Sequence, residues 1–255
     1  MPWEIIVVPC LTDNYACLLH NSEKGFTALI DAPEAAPIEA ELAGRNWGLD
    51  AILITHHHYD HIDGLEDLRS KTGARVYGAA ADGHRLPPLD VALHDGDSFE
   101  LAGSKVNVMD VSGHTVGHIA FYMADAAAVF TADSLMALGC GRLFEGTPAQ
   151  MWESLSRLRS LPPETMVYSG HEYTASNARF ALTIEPENAA LQARAIEIEH
   201  LRAVQKFTVP SLLSLECDTN PFLRADLPEV KAAVGMESAS DVDVFAEIRA
   251  RKDRF

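Results

Sequence analysis

The chain has 255 residues, 47% of them hydrophobic, which is enough for one large domain or a domain with a smaller companion and for a full core without staples. Its formal net charge of −17 excludes a general nucleic-acid binder, which needs a basic footprint, and requires any anionic ligand to be met by a local cluster of Lys and Arg. No apolar run is long enough to span a bilayer. The four cysteines are scattered without a CxxC pair, so neither a zinc finger nor a disulfide scaffold is expected.

The chain opens on Met1-Pro2-Trp3-Glu4-Ile5-Ile6-Val7-Val8, which lacks a basic region before its apolar stretch and reads as a strand rather than a signal peptide. A cytoplasmic protein is expected. Short β-rich runs follow at Glu4–Val8, Tyr15–His20, Phe26–Ile30, Ala51–Thr55, Arg75–Tyr77, Lys105–Val111, Ile119–Met123, Ala127–Thr131 and Met166–Ser169. Helical patterns interrupt them at Glu34–Ala43, Leu65–Thr72 and Pro148–Leu161. The last starts after Thr147, a plausible N-cap with Pro148 in the first helical position. This succession predicts an α/β layered sandwich, sheets inside and helices outside. Beyond Glu172 the texture changes to helix with almost no strand signal: Ala175–Leu182, Ala189–Lys206, Ala225–Val234 and Asp241–Arg251. The economical division is 1–172 for the sandwich and 173–255 for a smaller helical domain.

The strongest local signal is Thr55-His56-His57-His58-Tyr59-Asp60-His61, placed directly after the buried-strand run Ala51–Ile54. In extended chain, residues two apart share a side, so His56 and His58 can serve one ion while His57 faces away. Asp60 and His61 follow once the chain turns and can reach a second ion. A His-rich heptapeptide can also be a tag or an adventitious chelator, but its place at the end of a buried strand argues against that. His114, Asp133 and His171 each follow a predicted strand. Singly, each is more readily structural than a ligand; successive loops at one sheet edge are nonetheless how layered folds assemble a site. One ion would take His56, His58 and His114, the other Asp60, His61 and His171, with the Asp133 carboxylate bridging. Imidazole with carboxylate suits zinc, iron or manganese rather than calcium or magnesium. Two such ions activate a shared water near neutral pH. Asp31 is a candidate partner for a ligand imidazole or, alternatively, a cap for the helix at Glu34. His57 and His118 are read as structural, and His20, His84, His94 and His200 as surface or loop residues.

The signature His56-x-His58-x-Asp60-His61 resembles that of the metallo-β-lactamase superfamily. The chain is similar, over nearly its whole length, to the glyoxalase II family within it, the hydroxyacylglutathione hydrolases. That resemblance rests on Gly113-His114-Thr115, Gly139-Cys140-Gly141-Arg142-Leu143-Phe144-Glu145-Gly146-Thr147, Gly170-His171-Glu172-Tyr173, Asn220-Pro221-Phe222-Leu223-Arg224 and Arg249-Ala250-Arg251-Lys252-Asp253-Arg254-Phe255. It implies an αββα sandwich with a C-terminal helical domain and two divalent metal ions, zinc foremost. It implies hydrolysis of S-lactoylglutathione to lactate and glutathione, the second step of methylglyoxal detoxification. Asp60 and Asp133 would serve the catalytic centre. Arg249 and Lys252 would bind the glycine carboxylate of glutathione, with Arg142, Phe144 and Tyr173 along the peptide. Three positions depart from the pattern: Arg142 and Phe144 stand where eukaryotic members often carry Lys and Tyr, so the charge is kept but a hydroxyl is lost, and Asp63 stands where glycine is common. A persulfide dioxygenase shares fold and carrier but would use one iron and lack the Arg249–Lys252 pair. A β-lactamase or lactonase would lack those cations as well, a nuclease would need a basic surface, and a metal-storage protein would leave no open coordination position. A monomer acting on a small-molecule glutathione thioester, with no nucleic-acid or membrane partner, is the expectation.

Overall fold

The computed structural model describes residues 3–255, so the reading of Met1 and Pro2 as part of the opening strand stretch lies outside the described residues. The chain divides into two compact units. The first runs up to Asp110 and resumes over Val116–Ala132; the second comprises Val111–Thr115 and Asp133–Phe255.

The first unit holds two sheets. One is built from β1 (Trp3–Cys10), β2 (Asn14–Asn21), β3 (Phe26–Ile30), β4 (Ala51–Leu53), β5 (Arg75–Ala79) and β6 (Val91–Leu93), in that spatial order. β1 to β3 pair antiparallel, and β3 to β6 parallel. The helices α1 (Ala35–Arg45), α2 (Tyr59–Ile62) and α3 (Leu65–Thr72) lie in the connections between β3 and β5. Parallel strands need such crossovers, which cover a sheet face and make the strands apolar on both sides. Ile38 and Leu42 of α1 and Leu65 and Leu68 of α3 accordingly pack with Leu18, Leu29, Ile52 and Val76 of the sheet. The second sheet contains the antiparallel meander β7 (Ser98–Leu101), β8 (Ser104–Asp110), β9 (Ile119–Met123) and β10 (Ala128–Ala132). The two sheets meet through aromatic side chains: Tyr77 stacks on Phe99 at 4.9 Å, and Phe99 meets the buried Phe121 edge-on at 6.4 Å.

The second unit contains the hairpin β11 (Leu135–Met136) and β12 (Gly139–Cys140), then α4 (Pro148–Arg159), β13 (Met166–Ser169), α5 (Thr174–Ile184) and α6 (Ala189–Ala203). It ends with β14 (Ser211–Leu212), α7 (Leu213–Thr219), α8 (Pro228–Val234) and α9 (Asp241–Arg254). α4 begins as the sequence predicts, with Thr147 and Gln150 forming a reciprocal capping box and Pro148 in the first turn. Phe180 of α5, Phe222 and Phe245 of α9 form the aromatic centre of this unit.

Several elements differ from expectation. The strand predicted over Ala51–Thr55 stops at Leu53; beyond it Thr55 N donates to the Asp31 side chain, and the Thr55 carbonyl accepts from Ile119 N at the start of β9. Strands β6, β7, β11, β12 and β14 and helix α7 were not anticipated; most are four residues or fewer, too short to show a period. The helix expected from Ala225 starts at Pro228, whose ring suits the first helical position.

Candidate metal centre

Beyond β4 the chain runs extended and then turns into α2, which places the heptapeptide at a strand end. In the first unit His56 and His61 are fully buried, and His56 Nε2 lies 3.2 Å from His58 Nδ1. His58, with extended backbone, caps α2, so Asp60 and His61 sit on its first turn. The Asp60 carboxylate accepts from Asn14 Nδ2 at 3.0 Å, and the same amide group donates to the Asp60 carbonyl. His61 Nδ1 donates to Asp31 Oδ2 at 2.8 Å, which directs Nε2 toward Asp60 Oδ2, 3.8 Å away. An ionised carboxylate only accepts, so the His61 proton is fixed on Nδ1.

Asp31 does not cap α1, whose N-cap is Glu34 without a side-chain bond. It also accepts from Thr55 N and Thr55 Oγ1, each at 2.8 Å, and its own backbone is left-handed with φ of 55°. His57 turns the other way, as its alternation predicts, and bonds at 3.0 Å to the fully buried Asp82. His118 stacks on His56 with centroids 4.6 Å apart.

In the second unit, Asp133 Oδ2 lies 3.4 Å from His114 Nε2 and 3.3 Å from His171 Nε2, all three residues being buried. His114 Nδ1 donates to the Arg142 carbonyl at 2.8 Å, which again leaves Nε2 as the lone-pair nitrogen. This close packing requires glycine at 141: a Cβ there would lie 2.0 Å from the Asp133 carbonyl oxygen and 2.9 Å from His114 Nδ1.

These separations fit metal ligation. Two ligand atoms on one tetrahedral ion, each about 2.0–2.1 Å from it, stand about 3.3 Å apart. The His56–His58 pair and both contacts of Asp133 Oδ2 fall at that spacing. The five residues at this spacing, His56, His58, His114, Asp133 and His171, are among the candidates the sequence singles out. The sequence does not mark Asn14, at the start of β2, or Asp82, at the end of a short 3-10 helix, whose contacts with Asp60 and His57 appear only in the structure.

The five predicted substrate residues all belong to the second unit. The half-exposed Tyr173 ring stacks on His171 at 4.7 Å, and the exposed Phe144 ring meets His114 edge-on at 5.3 Å. Arg249 is buried: Nη1 donates to the Cys140 carbonyl at 2.8 Å and Nη2 to Asp253 Oδ1 at 2.9 Å. The same Asp253 oxygen accepts from Arg142 Nε at 3.3 Å. Lys252 lies over the rings of Phe180 and Phe255, each 5.3 Å away. Burial, together with the charges of Arg249 and Arg179, pulls its ammonium down to about 8. A cation held so poorly by its surroundings gains from any anion brought beside it. The thiols of Cys10 and Cys140 are pushed up to about 12 and about 11 by burial, so neither is a nucleophile at neutral pH.

Comparison with known proteins agrees with this geometry. Residues 16–171 match the family model described as metallo-beta-lactamase superfamily, and residues 172–255 match hydroxyacylglutathione hydrolase C-terminus. The hydroxyacylglutathione hydrolase of Ruegeria pomeroyi is 64% identical over 255 residues, covering all of both chains. The crystal structure of BLEG-1 B3 metallo-beta-lactamase superposes with a TM-score of 0.68 at 21% identity, covering 86% of this chain and 99% of that one. TTHA1623 in a di-iron-bound form gives a TM-score of 0.60 at 29% identity, covering 86% of this chain and 100% of that one. A histidine and aspartate donor set on this fold defines a metallo-β-lactamase-superfamily protein with a site for divalent metal. The match over the full length and the separate match of the helical region then place the chain in the hydroxyacylglutathione hydrolase family, and it is a hydrolase. Among the described residues no helix is long and apolar enough to cross a membrane.

Proposed function

We propose that this chain cleaves S-lactoylglutathione and related S-2-hydroxyacylglutathiones with water, giving the 2-hydroxy acid and glutathione. D-lactate would be the principal acid, and the reaction the second step of methylglyoxal detoxification. The observation that carries this reading is the bond from His114 Nδ1 to the Arg142 carbonyl. It ties a metal-type donor to the chain two residues beyond Cys140, the hairpin residue whose carbonyl seats Arg249.

The donors are read as one dinuclear centre: His56, His58 and His114 for one ion, Asp60, His61 and His171 for the other, and Asp133 shared. Three considerations support two ions. Seven donors are too many for one tetrahedral ion. Asp133 Oδ2 stands at ligand spacing from two different imidazoles. A relative of the same fold is described in a di-iron-bound form. Zinc is the first choice by donor type, with iron and manganese compatible.

When bound, divalent ions supply Lewis acidity toward a thioester carbonyl and lower the pKa of water. The protein's part is to hold that chemistry in register. Asp31 and the Arg142 carbonyl fix the tautomers of His61 and His114. Asn14 holds the Asp60 carboxylate, which can keep or pass a proton. Arg249 and Lys252 meet the glycine carboxylate, and buried Arg249 has one N–H, Nε, with no partner among the described residues. Arg142, Phe144 and Tyr173 lie along the peptide. Departure of the glutathione thiolate needs no strong acid, since a free thiol has a pKa of about 8.5. In this reading residues 1–172 form the metal-binding domain and 173–255 the helical domain that recognises glutathione, in a cytoplasmic monomer.

The test is hydrolysis of S-lactoylglutathione by purified protein, with metal analysis in parallel. Turnover with about two metal ions per chain is expected. No turnover by fully metallated protein, or full turnover with a single iron, would refute the reading.

A further inference from the structure

The motif Asn220-Pro221-Phe222-Leu223-Arg224 supplies none of the candidate donors, and the β11–β12 turn of the second unit shows what it does. Met136, Ala137, Leu138 and Gly139 make this turn, with Leu138 in the left-handed region at φ of 56°. A leucine holds that conformation only where its surroundings impose it. Here buried side chains from the helices bind the turn's own peptide groups. Glu216 Oε2 accepts from Leu138 N at 2.8 Å. Asn177 Nδ2 donates to the Ala137 carbonyl at 3.0 Å. Asn220 Nδ2 donates to the Gly139 carbonyl at 3.0 Å, the Met136 carbonyl at 3.2 Å and Glu216 Oε2 at 3.1 Å. Glu216 and Asn220 are wholly buried, and Arg194, also buried, neutralises Glu216 through its other oxygen.

The turn leads directly to the substrate residues. Cys140, the last residue of β12, gives its carbonyl to Arg249, whose guanidinium lies 5.1 Å over the Phe222 ring. Phe222 N is in turn fixed by Asn220 Oδ1 at 3.0 Å. One asparagine thus sets both the hairpin that seats Arg249 and the ring beneath it.

We infer that Asn220 and Asn177, with Glu216, are positioning residues for glutathione recognition: they hold the 136–139 turn so that Cys140, Arg142 and Phe222 present Arg249 to the glycine carboxylate. This inference rests on the proposed function for the identity of the ligand. Substrate affinity depends on the cradle most directly, because Arg249 bonds to Cys140 itself; of the candidate donors, His114 meets this segment two residues farther on, at the Arg142 carbonyl.

The test avoids Glu216 and Arg194, because removing either strands a buried charge and reports on folding. Asn177→Ala and Asn220→Ala are measured with S-lactoylglutathione, each variant fully metallated. Loss of a buried hydrogen bond corresponds to a rise in KM of about tenfold for each, with kcat and metal content within about twofold of the parent. Gly139→Ala supplies a steric control, since its Cβ would lie 2.5 Å from Asn177 Nδ2. It should raise KM alone, and in the double variant with Asn177→Ala it should add nothing further. Wild-type KM in Asn177→Ala and Asn220→Ala, or losses confined to kcat and thermal stability, would overturn the inference. Failure of the parent enzyme to hydrolyse the thioester would defeat the functional reading instead. The cradle is then judged by hydrogen exchange at Leu138 N, expected to be slow in the parent and fast in Asn220→Ala; no difference in exchange overturns it.

Discussion

Replacing Asp31 with asparagine isolates one effect, the tautomer of His61. The left-handed backbone at position 31 suits asparagine as well as aspartate, so the chain path is kept. The side chain keeps its shape, and Oδ1 can still accept from Thr55 N. At the other position, however, an NH2 group replaces the oxygen that accepts from Thr55 Oγ1 and His61 Nδ1. Two donors cannot face each other, so His61 is driven to accept at Nδ1 and to carry its proton on Nε2, the nitrogen assigned to the ion. Binding must then displace that proton or break the new bond. Losing an outer-shell partner of this kind costs about 10–100-fold in metal affinity, roughly 1.4–2.7 kcal/mol. The assay is competitive titration of the apo-protein with a chromophoric chelator, accompanied by thioester hydrolysis at saturating and limiting metal. Asp31→Asn should lose metal first from one of two sites, and activity should return as metal is added. Parental affinity and activity at limiting metal would refute the tautomer argument.

Gly141→Ala forces a methyl against the Asp133 carbonyl at 2.0 Å, so soluble protein with less bound metal and activity lowered by at least about tenfold is expected, read by metal analysis and turnover. The lowered pKa of Lys252 gives a pH dependence with a definite sign. Its ammonium is charged below about 8 and neutral above, so KM for the anionic thioester should rise as pH climbs through 8, and Lys252→Met should flatten that limb of the profile. In the free protein the same shift makes the folded state release its proton before the unfolded chain does. Stability should therefore increase between about pH 8 and the ordinary lysine range, as followed by urea midpoints. Asp253→Asn removes a carboxylate that competes with the substrate for Arg249 and Arg142; KM should fall by up to about fivefold, the scale of a partly exposed ion pair, in low-salt kinetics.

The candidate donors of the heptapeptide were legible as a cluster because their spacing is local: His56 and His58 come together beyond β4, and Asp60 and His61 follow where the chain turns into α2. The long strands β1, β2 and β3 and the capped helix α4 were legible for the same reason, a period or a cap lying within one short window. The 135–140 hairpin was not. Its strands are two residues each, and its conformation is imposed by Glu216, Asn177 and Asn220 from distant sequence. Nothing in the sequence around Arg194 or Glu216 marks them as buried, since both residue types normally face solvent; their ion pair, with the bonds of Glu216 to Leu138 N and Asn220 and of Arg194 to Thr219, permits otherwise. The choice between two roles for Asp31 was likewise settled by contact with Thr55 and His61, neither of which any spacing rule connects to it.

The order in which the hairpin's partners occur has a consequence for biosynthesis. Leu138 waits for a residue 78 positions later, and the Cys140 carbonyl for one 109 positions later. A nascent chain emerging from the ribosome can therefore pair its early sheet while the turn after Asp133 stays unformed. On the proposed assignment of Arg249 to the substrate carboxylate, the seat for that guanidinium is complete only once α9 has been made.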